Sequence, residues 1–170
     1  MSVANVYTLR IEALSHEAFA PFGDVIDTID AANVIDINDG TAQRFHALAL
    51  IDADADGGTP VISIFRAQPR ELPFMVRMLE RHPLGSQAFM PLAANPYLVV
   101  VGSSPDDVPR AFLARPGQGI NLHRGVWHHP LLALKVTSDF LVIDRTGAGN
   151  NCDEVKLSCA WRIEAAAIPG

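Results

Sequence analysis

The chain has 170 residues, 49% of them hydrophobic and 19% charged, which is enough apolar material for one globular domain with a buried core. Its 13 basic and 19 acidic residues give a net charge of −6. This argues against a nucleic-acid partner, because such affinity comes largely from Lys and Arg on phosphates. The longest apolar runs, such as Tyr97 to Val101, are strand-sized and far too short to cross a bilayer.

Two further features predict a cytoplasmic location. The N-terminal residues lack the basic region and apolar block of a secretory signal peptide. Cys152 and Cys159 are the only cysteines, form no CxxC pair and are too few for a disulfide framework. We therefore expect reduced thiols, as in a cytosolic protein.

Short β-forming runs occupy most of the chain, separated by 12 glycines and 12 prolines. One short helix is predicted at Ser15–Ala20, with Ser15 as its N-cap. Close strands with Gly and Pro turns are typical of an all-β sandwich or barrel. Since neither a repeat nor a linker is evident, we predict a single domain over residues 1–170. The predicted strands are Tyr7–Leu14, Val25–Ile29, Phe45–Ile51, Val61–Arg66, Phe74–Glu80, Gln87–Met90, Tyr97–Val101, Ala111–Ala114, Leu131–Val136, Phe140–Asp144 and Val155–Trp161.

Polar residues with catalytic potential are densest between Glu80 and Gln87. Alternate residues of a strand share a face, so Glu80 and His82 should continue the apolar face of Phe74, Val76 and Met78 into the interior. A carboxylate and an imidazole there are costly unless they are paired, protonated or bound to a metal. A buried Glu–His hydrogen bond and a functional site are both open interpretations.

A second segment, 117–130, carries three of the six histidines within seven residues. Asn121 and His123 alternate onto one face of a short strand, and Gly125 permits a tight turn that re-aims Trp127 and His128. Neutral imidazole is the commonest metal ligand and the usual general base near neutral pH. The segment therefore favours a catalytic or metal-binding site. His129, which precedes Pro130, is expected to be a structural residue.

Both segments resemble the metal-binding motifs of cupins. Glu80-x-His82-x4-Gln87 is similar to His-x-His-x(3,4)-Glu, and His123-x-Gly125-x-x-His128 is similar to Pro-x-Gly-x-x-His. The resemblance implies a cupin-type β-barrel, or jelly roll, with one or two short helices, a divalent metal and no organic cofactor. A neutral amide where cupins have a carboxylate implies weaker metal affinity. The implied ligands are Glu80, His82, Gln87 and His128.

A series of short blocks, in order along the chain, extends the pattern over nearly all of it. The blocks are Leu14–Phe19, Phe22–Ile26, Ile37–Gly40, Arg44–His46, Ile64–Pro69, Leu79–Phe89, Asn121–Leu131, Asp139–Arg145 and Asn151–Cys152. By their number and order the chain resembles the ureidoglycolate lyase family, called ureidoglycolate hydrolase in older usage. This resemblance implies cleavage of ureidoglycolate to glyoxylate and urea in allantoin and purine-nitrogen catabolism. It also implies a homodimer and an association with nickel.

The implied lyase chemistry needs a base for the hydroxyl proton, an acid for the departing urea nitrogen and a cation for the substrate carboxylate. We assign His123 as the base, with Glu80 as the alternative if no metal binds. Arg66 shares a predicted strand face with Ile62 and Ile64, so we expect it to project inward as a carboxylate clamp. A strand-end cation at the barrel mouth is the alternative role.

The remaining candidates are expected to line the pocket or its entrance. Arg44 and His46 alternate with Leu48 and Leu50 and are assigned to the entrance, with structural pairing as an equal alternative. Further substrate contacts are predicted for Asn121, which would bind the ureido group, and for Phe89 and Trp127, as pocket walls or core. Asp144 and Arg145 are interpreted as an internal salt bridge.

Three other functions are alternatives to this interpretation. One is an amidohydrolase on the same substrate, which would release ammonia instead of urea. Another is a non-catalytic cupin that binds a small carboxylate without turnover. The third, a metal-dependent oxygenase, normally has a stronger ligand set than one containing Gln87.

Overall fold

A computed structural model describes residues 5–29 and 31–165, which form two facing β-sheets, a small hairpin and a short helix. The helix, α1 (His16–Phe19), precedes the third strand, and a 3₁₀ turn spans Ala55–Gly57. The strands are β1 (Val6–Leu9), β2 (Ile11–Ala13), β3 (Gly23–Ile26), β4 (Val34–Ile37), β5 (Ala42–Phe45), β6 (Thr59–Ala67), β7 (Phe74–Arg81), β8 (Gln87–Pro91), β9 (Tyr97–Gly102), β10 (Arg110–Ala114), β11 (Gly119–Leu122), β12 (Trp127–His128), β13 (Leu132–Ala133), β14 (Ser138–Thr146) and β15 (Asp153–Ile163).

The two main sheets differ in size and edges. Sheet A has the order β1-β15-β7-β12-β9-β10-β2, with β13 also paired to β9. Sheet B has the order β3-β11-β8-β14-β6, so β3 and β6 are its edge strands. Most pairs are antiparallel, and β1 with β15 and β2 with β10 are parallel. The hairpin β4–β5 pairs with neither sheet.

The core lies between the sheets and continues behind sheet A. Val99 and Val101 belong to the cluster between the sheets, together with Phe89 and Val142 of sheet B. The alternate residues of β9 belong to a second cluster on the other face of sheet A. All six residues of β9 are therefore buried, as expected of a strand covered on both faces.

The predicted all-β barrel with a short helix is confirmed. Ser15 caps the helix, because its Oγ accepts a hydrogen bond from the Ala18 amide at 3.2 Å. The predicted strand Phe45–Ile51 is wrong: β5 ends at Phe45, and Ala47 has a left-handed φ of 54°, which interrupts extended structure. Within the described residues, no helix has the length and apolarity needed to cross a membrane.

Candidate active site

A cavity of about 560 Å³ lies between the two sheets, a volume typical of small-molecule sites. Sheet A and the segment after β7 supply the histidines and one carboxylate, whereas sheet B supplies an amide, a second carboxylate, an arginine at the rim and apolar walls. The lining residues are Phe65, Arg66, Ala67, Glu80, His82, Gln87, Phe89, Ile120, Leu122, His128, His129, Pro130, Leu131 and Asp144.

The short strand β12 brings His128 beside Glu80. It lies between β7 and β9 and pairs His128 with Glu80 on one side and with Val101 on the other. The preceding turn is made by Gly125, whose φ of +78° is a conformation that side chains rarely adopt. Residues 48 positions apart in sequence thus become direct cross-strand neighbours.

Backbone carbonyls fix the tautomers of two cavity histidines. His82 Nδ1 lies 2.7 Å from the Asn151 carbonyl oxygen, and His128 Nδ1 lies 3.0 Å from that of Val126. A carbonyl oxygen only accepts, so Nδ1 of each ring must carry the proton and donate it. Both Nε2 atoms are buried without a hydrogen-bond partner.

Glu80 completes a three-residue group with these rings. Its Oε1 lies 3.5 Å from His128 Nε2, an ion-pair distance without hydrogen-bond geometry. One ligand atom from each of Glu80, His82 and His128 lies within 4.8 Å of the others. The polar contact with His128 lowers the pKa of Glu80 although burial opposes it, so this carboxylate is ionised near neutral pH.

Glu80 points into the cavity, but it does not share one continuous strand face with Phe74 and Val76. Val76 and Leu79 both pack in the cluster behind sheet A, although their odd spacing would put them on opposite faces of a regular strand. The β15 register shifts opposite this part of β7. The expected single face running from Phe74 through Val76 to Glu80 is therefore wrong, and Glu80 is inward because it alternates with Leu79.

The opposite wall carries a second carboxylate, that of Asp144. Asp144 lines the cavity, and the Gln87 amide donates to its Oδ2 at 3.5 Å. The predicted Asp144–Arg145 salt bridge is wrong, because consecutive strand residues point to opposite faces. Arg145 instead donates to the carbonyl oxygens of Ala55 and Ala148. The signal that could have found Asp144 is its alternation with the buried Phe140 and Val142.

His123 lies outside this cavity, so its expected convergence with the other histidines is wrong. Ile120 and Leu122 face the cavity, which turns Asn121 and His123 to the outer side of sheet B. His123 is about half exposed and contacts Asp24 at 3.1 Å. Asn121 is fully buried, and its amide donates to Asp24 Oδ2 and the Leu50 carbonyl oxygen.

The expected inward projection of Arg66 is also wrong. Ile62 and Ile64, which share its strand face, are 71% and 54% exposed. The Arg66 side chain is 70% exposed and makes a bidentate contact with Asp139, at 2.8 and 2.9 Å. Arg66 still contributes to the cavity rim. This position agrees with the alternative of a strand-end cation at the mouth.

The other candidates divide between the cavity and the surface. Phe89 is buried and lines the cavity, and Trp127 packs behind sheet A with the Arg81 guanidinium 4.7 Å from its ring centroid. Arg44 is exposed on β5, and His46 follows that strand. Neither belongs to the cavity lining of the described residues, because Arg44 lies on the separate β4–β5 hairpin and the predicted strand that would have carried His46 does not form.

His129, expected to be structural, lines the cavity beside His128. Its ring packs edge-on against Phe74 with centroids 5.3 Å apart. Burial lowers the pKa of His129, so this imidazole is neutral near pH 7. It adds a third imidazole to the sheet A wall.

A family model described as ureidoglycolate lyase matches residues 6–164. The chain belongs to the ureidoglycolate lyase family. It is 56% identical over 160 residues to a ureidoglycolate lyase of Burkholderia cepacia, covering 92% of this chain and 90% of that protein. It is 55% identical over 151 residues to one of Pseudomonas fluorescens, covering 86% and 90%.

This member of the ureidoglycolate lyase family keeps parts of both cupin-like motifs in one cavity. Glu80, His82 and Gln87 from the first motif and His128 from the second all line it. Glu80 and the two histidines form the close group, whereas Gln87 belongs to the opposite sheet. His123, at the proline position of the second motif, is the member that points away.

Proposed function

We propose that this chain cleaves ureidoglycolate to glyoxylate and urea. The observation that carries the proposal is the group of Glu80, His82 and His128 in one cavity of a chain whose relatives are named ureidoglycolate lyases. Cleavage removes the hydroxyl proton, makes the C–O bond double and breaks the C–N bond. The departing nitrogen gains one proton, so the reaction has no net proton demand.

We further propose that His82, His128 and Glu80 hold a divalent ion. The fit rests on the two unpaired Nε2 atoms and on the carbonyls that orient their rings, an arrangement common around metal-bound histidines. When bound, such an ion would bind substrate oxygens and lower the pKa of the hydroxyl. Imidazole ligands suit nickel, zinc, copper and iron, and nickel is the ion to test first.

Where no ion is bound, Glu80 is proposed as the acceptor of the hydroxyl proton, in place of His123. Its lowered pKa keeps it ionised, and a positioned base contributes roughly 10²–10⁴-fold to rate. The histidines beside it provide hydrogen-bonding partners without placing further negative charge near an anionic substrate.

A covalent route has little support in this cavity. Its lining, as far as the described residues show, includes no serine, threonine, cysteine or lysine. Cys152 approaches Glu80 from outside the lining. Burial and the carboxylates of Glu80, Glu154 and Asp153 raise the pKa of its thiol. The thiol form is a poor nucleophile, so elimination without a covalent intermediate is the simpler route.

We also propose a homodimer formed through the outer face of sheet B. Register pairing aligns Ile64 with Leu141 and Met90, and Ile62 with Ile143. None of these five side chains is fully buried, and Ile62 and Ile64 lie on an edge strand. Contiguous exposed apolar surface of this kind marks an interface, and a second copy is its proposed occupant.

We also propose a cytoplasmic location. Cys152 and Cys159 are both free, as in proteins of reducing compartments. Both thiols are at least partly accessible to solvent, so an oxidising compartment would expose them to disulfide exchange.

One assay tests the activity: urea, ammonia and glyoxylate are measured after ureidoglycolate is added to purified protein. Equal amounts of urea and glyoxylate support the lyase. Ammonia in place of urea would identify an amidohydrolase, and substrate binding without turnover would identify a binding protein. A parallel sample stripped by chelator and then reloaded with Ni²⁺ tests the ion, since full activity after thorough stripping would remove it from the mechanism.

A further inference from the structure

The cavity has two chemically different polar walls. The sheet A wall carries Glu80 and the histidines, whereas the sheet B wall carries Gln87 and Asp144, from β8 and β14. Apart from Arg66 at the rim, the rest of the lining on the sheet B side is apolar, including Phe89, Ile120 and Leu122. A substrate with two unlike polar ends would therefore meet a different partner at each end.

Gln87 and Asp144 together present hydrogen-bond acceptors. The Gln87 Nε2 faces Asp144 Oδ2 at 3.5 Å, which leaves the amide oxygen of Gln87 and Oδ1 of Asp144 available. Asp144 has no ion-pair partner among the described residues. Its carboxylate is thus not committed to a structural cation.

The ureido group of ureidoglycolate matches this wall. It is planar and offers N–H donors on two nitrogens, whereas the other end of the molecule offers a carboxylate and a hydroxyl oxygen. A carboxylate accepts parallel N–H bonds from a planar donor group. It also repels a second carboxylate, whereas a cation held by Glu80, His82 and His128 would offset the charge of Glu80 at the other wall, so the reversed orientation of the substrate is disfavoured.

We propose that Asp144, positioned by Gln87, binds the N–H donors of the ureido group and makes the site specific for ureido substrates. This inference rests on the proposed function and assigns Gln87 to the ureido side of the cavity. Asp144 then fixes the leaving group against sheet B while the carboxylate end lies at the sheet A wall.

The test is Asp144→Asn, assayed on the metal-loaded protein with two inhibitors. N-carbamoylglycine keeps the ureido group and carboxylate but has no hydroxyl to eliminate, and glycolate keeps the carboxylate and hydroxyl but has no ureido group. We expect the inhibition constant of N-carbamoylglycine and the KM of ureidoglycolate to rise about 10- to 100-fold, the loss typical of a hydrogen bond to a charged group. Glycolate inhibition and metal content should stay unchanged or improve.

The charge change makes this outcome diagnostic. Asp144→Asn removes a negative charge, so a purely electrostatic role would tighten the binding of both anions. Equal loss of both inhibitors, or loss of bound metal, would show a structural role and overturn the proposal, as would an unchanged KM. Asp107→Asn, in an exposed loop, is the matched control and should change neither constant.

A second variant guards against a folding defect. Gln87→Met keeps the length of the side chain and removes its amide, and it should weaken N-carbamoylglycine selectively, by a smaller factor. If wild-type protein makes no urea or glyoxylate, the proposed function fails. If wild type is active and both variants bind N-carbamoylglycine normally, only the assignment of Asp144 fails.

Discussion

His128 and Glu80 are register partners on β12 and β7, and 3.5 Å separates His128 Nε2 from Glu80 Oε1. The His128 side chain is 4% exposed and that of Glu80 is 19% exposed. A carboxylate and an imidazole buried this deeply need partners. With His82 Nε2 beside them, they leave a position suited to a shared cation.

His82→Ala and His128→Ala should each weaken metal binding at least about 100-fold, because even the loss of a partner behind a metal ligand costs 10- to 100-fold. Metal content after dialysis against a weak chelator measures the effect, independently of activity. His46→Ala, which removes a histidine outside the cavity, should bind metal like wild type. Full metal retention by His82→Ala would remove that residue from the ligand set.

His123→Ala should change kcat/KM less than about threefold, whereas a lost general base costs roughly 10²–10⁴-fold. The reason is the position of His123 on the outer side of sheet B, against Asp24. Steady-state kinetics alongside Glu80→Gln make the comparison, since the Glu80 variant should lose at least about 100-fold. A comparable loss in His123→Ala would return His123 to the catalytic group.

Asp27→Asn should destabilise the fold by about 1–3 kcal/mol near neutral pH, because Asp27 is buried and hydrogen-bonded. It accepts from Gln118 Nε2 at 2.8 Å and from the Ile29 amide at 3.0 Å, and it contacts His16. Burial raises the pKa of Asp27, but these bonds outweigh it and hold the pKa below the ordinary 3.8.

The pH dependence of that loss follows from linkage. A depressed carboxyl pKa adds stability that is fully present above the unfolded value and disappears as pH falls through the folded one. The difference in unfolding free energy between wild type and Asp27→Asn should therefore shrink below about pH 4, near the ordinary value of 3.8. Denaturant titrations from pH 7 to pH 3 measure it, and a difference that grows on acidification would contradict the assigned direction.

Ile62→Asp and Ile64→Asp should each produce monomers, because a charge on the outer face of sheet B would be buried between the copies. Sedimentation velocity at micromolar concentration distinguishes the two states. Val108→Asp introduces the same charge at an exposed loop residue and should leave the dimer intact. Dimers that persist in both isoleucine variants would exclude this face as the interface.

Local sequence signals were sufficient to predict the fold class and the polar residues on the sheet A side of the site. The alternating strands and the Ser15 cap depend on nearest neighbours, and both were predictable for that reason. Glu80, His82 and His128 were identified from motif spacing, and all three line one cavity. The strand end at Phe45 could not be predicted, because the left-handed backbone conformation of Ala47 has no signature in the sequence.

In the regular strands, residue order alone fixes which side chains share a face, because the pleat has a period of two. The packing of the sheets against each other sets which of the two alternating faces points inward. In β11 and β6 the inward face is that of Ile120 and Phe65, so His123 and Arg66 point out. In β14 it is the face of Asp144. That choice depends on the sheet packed opposite each strand, a contact between segments far apart in sequence.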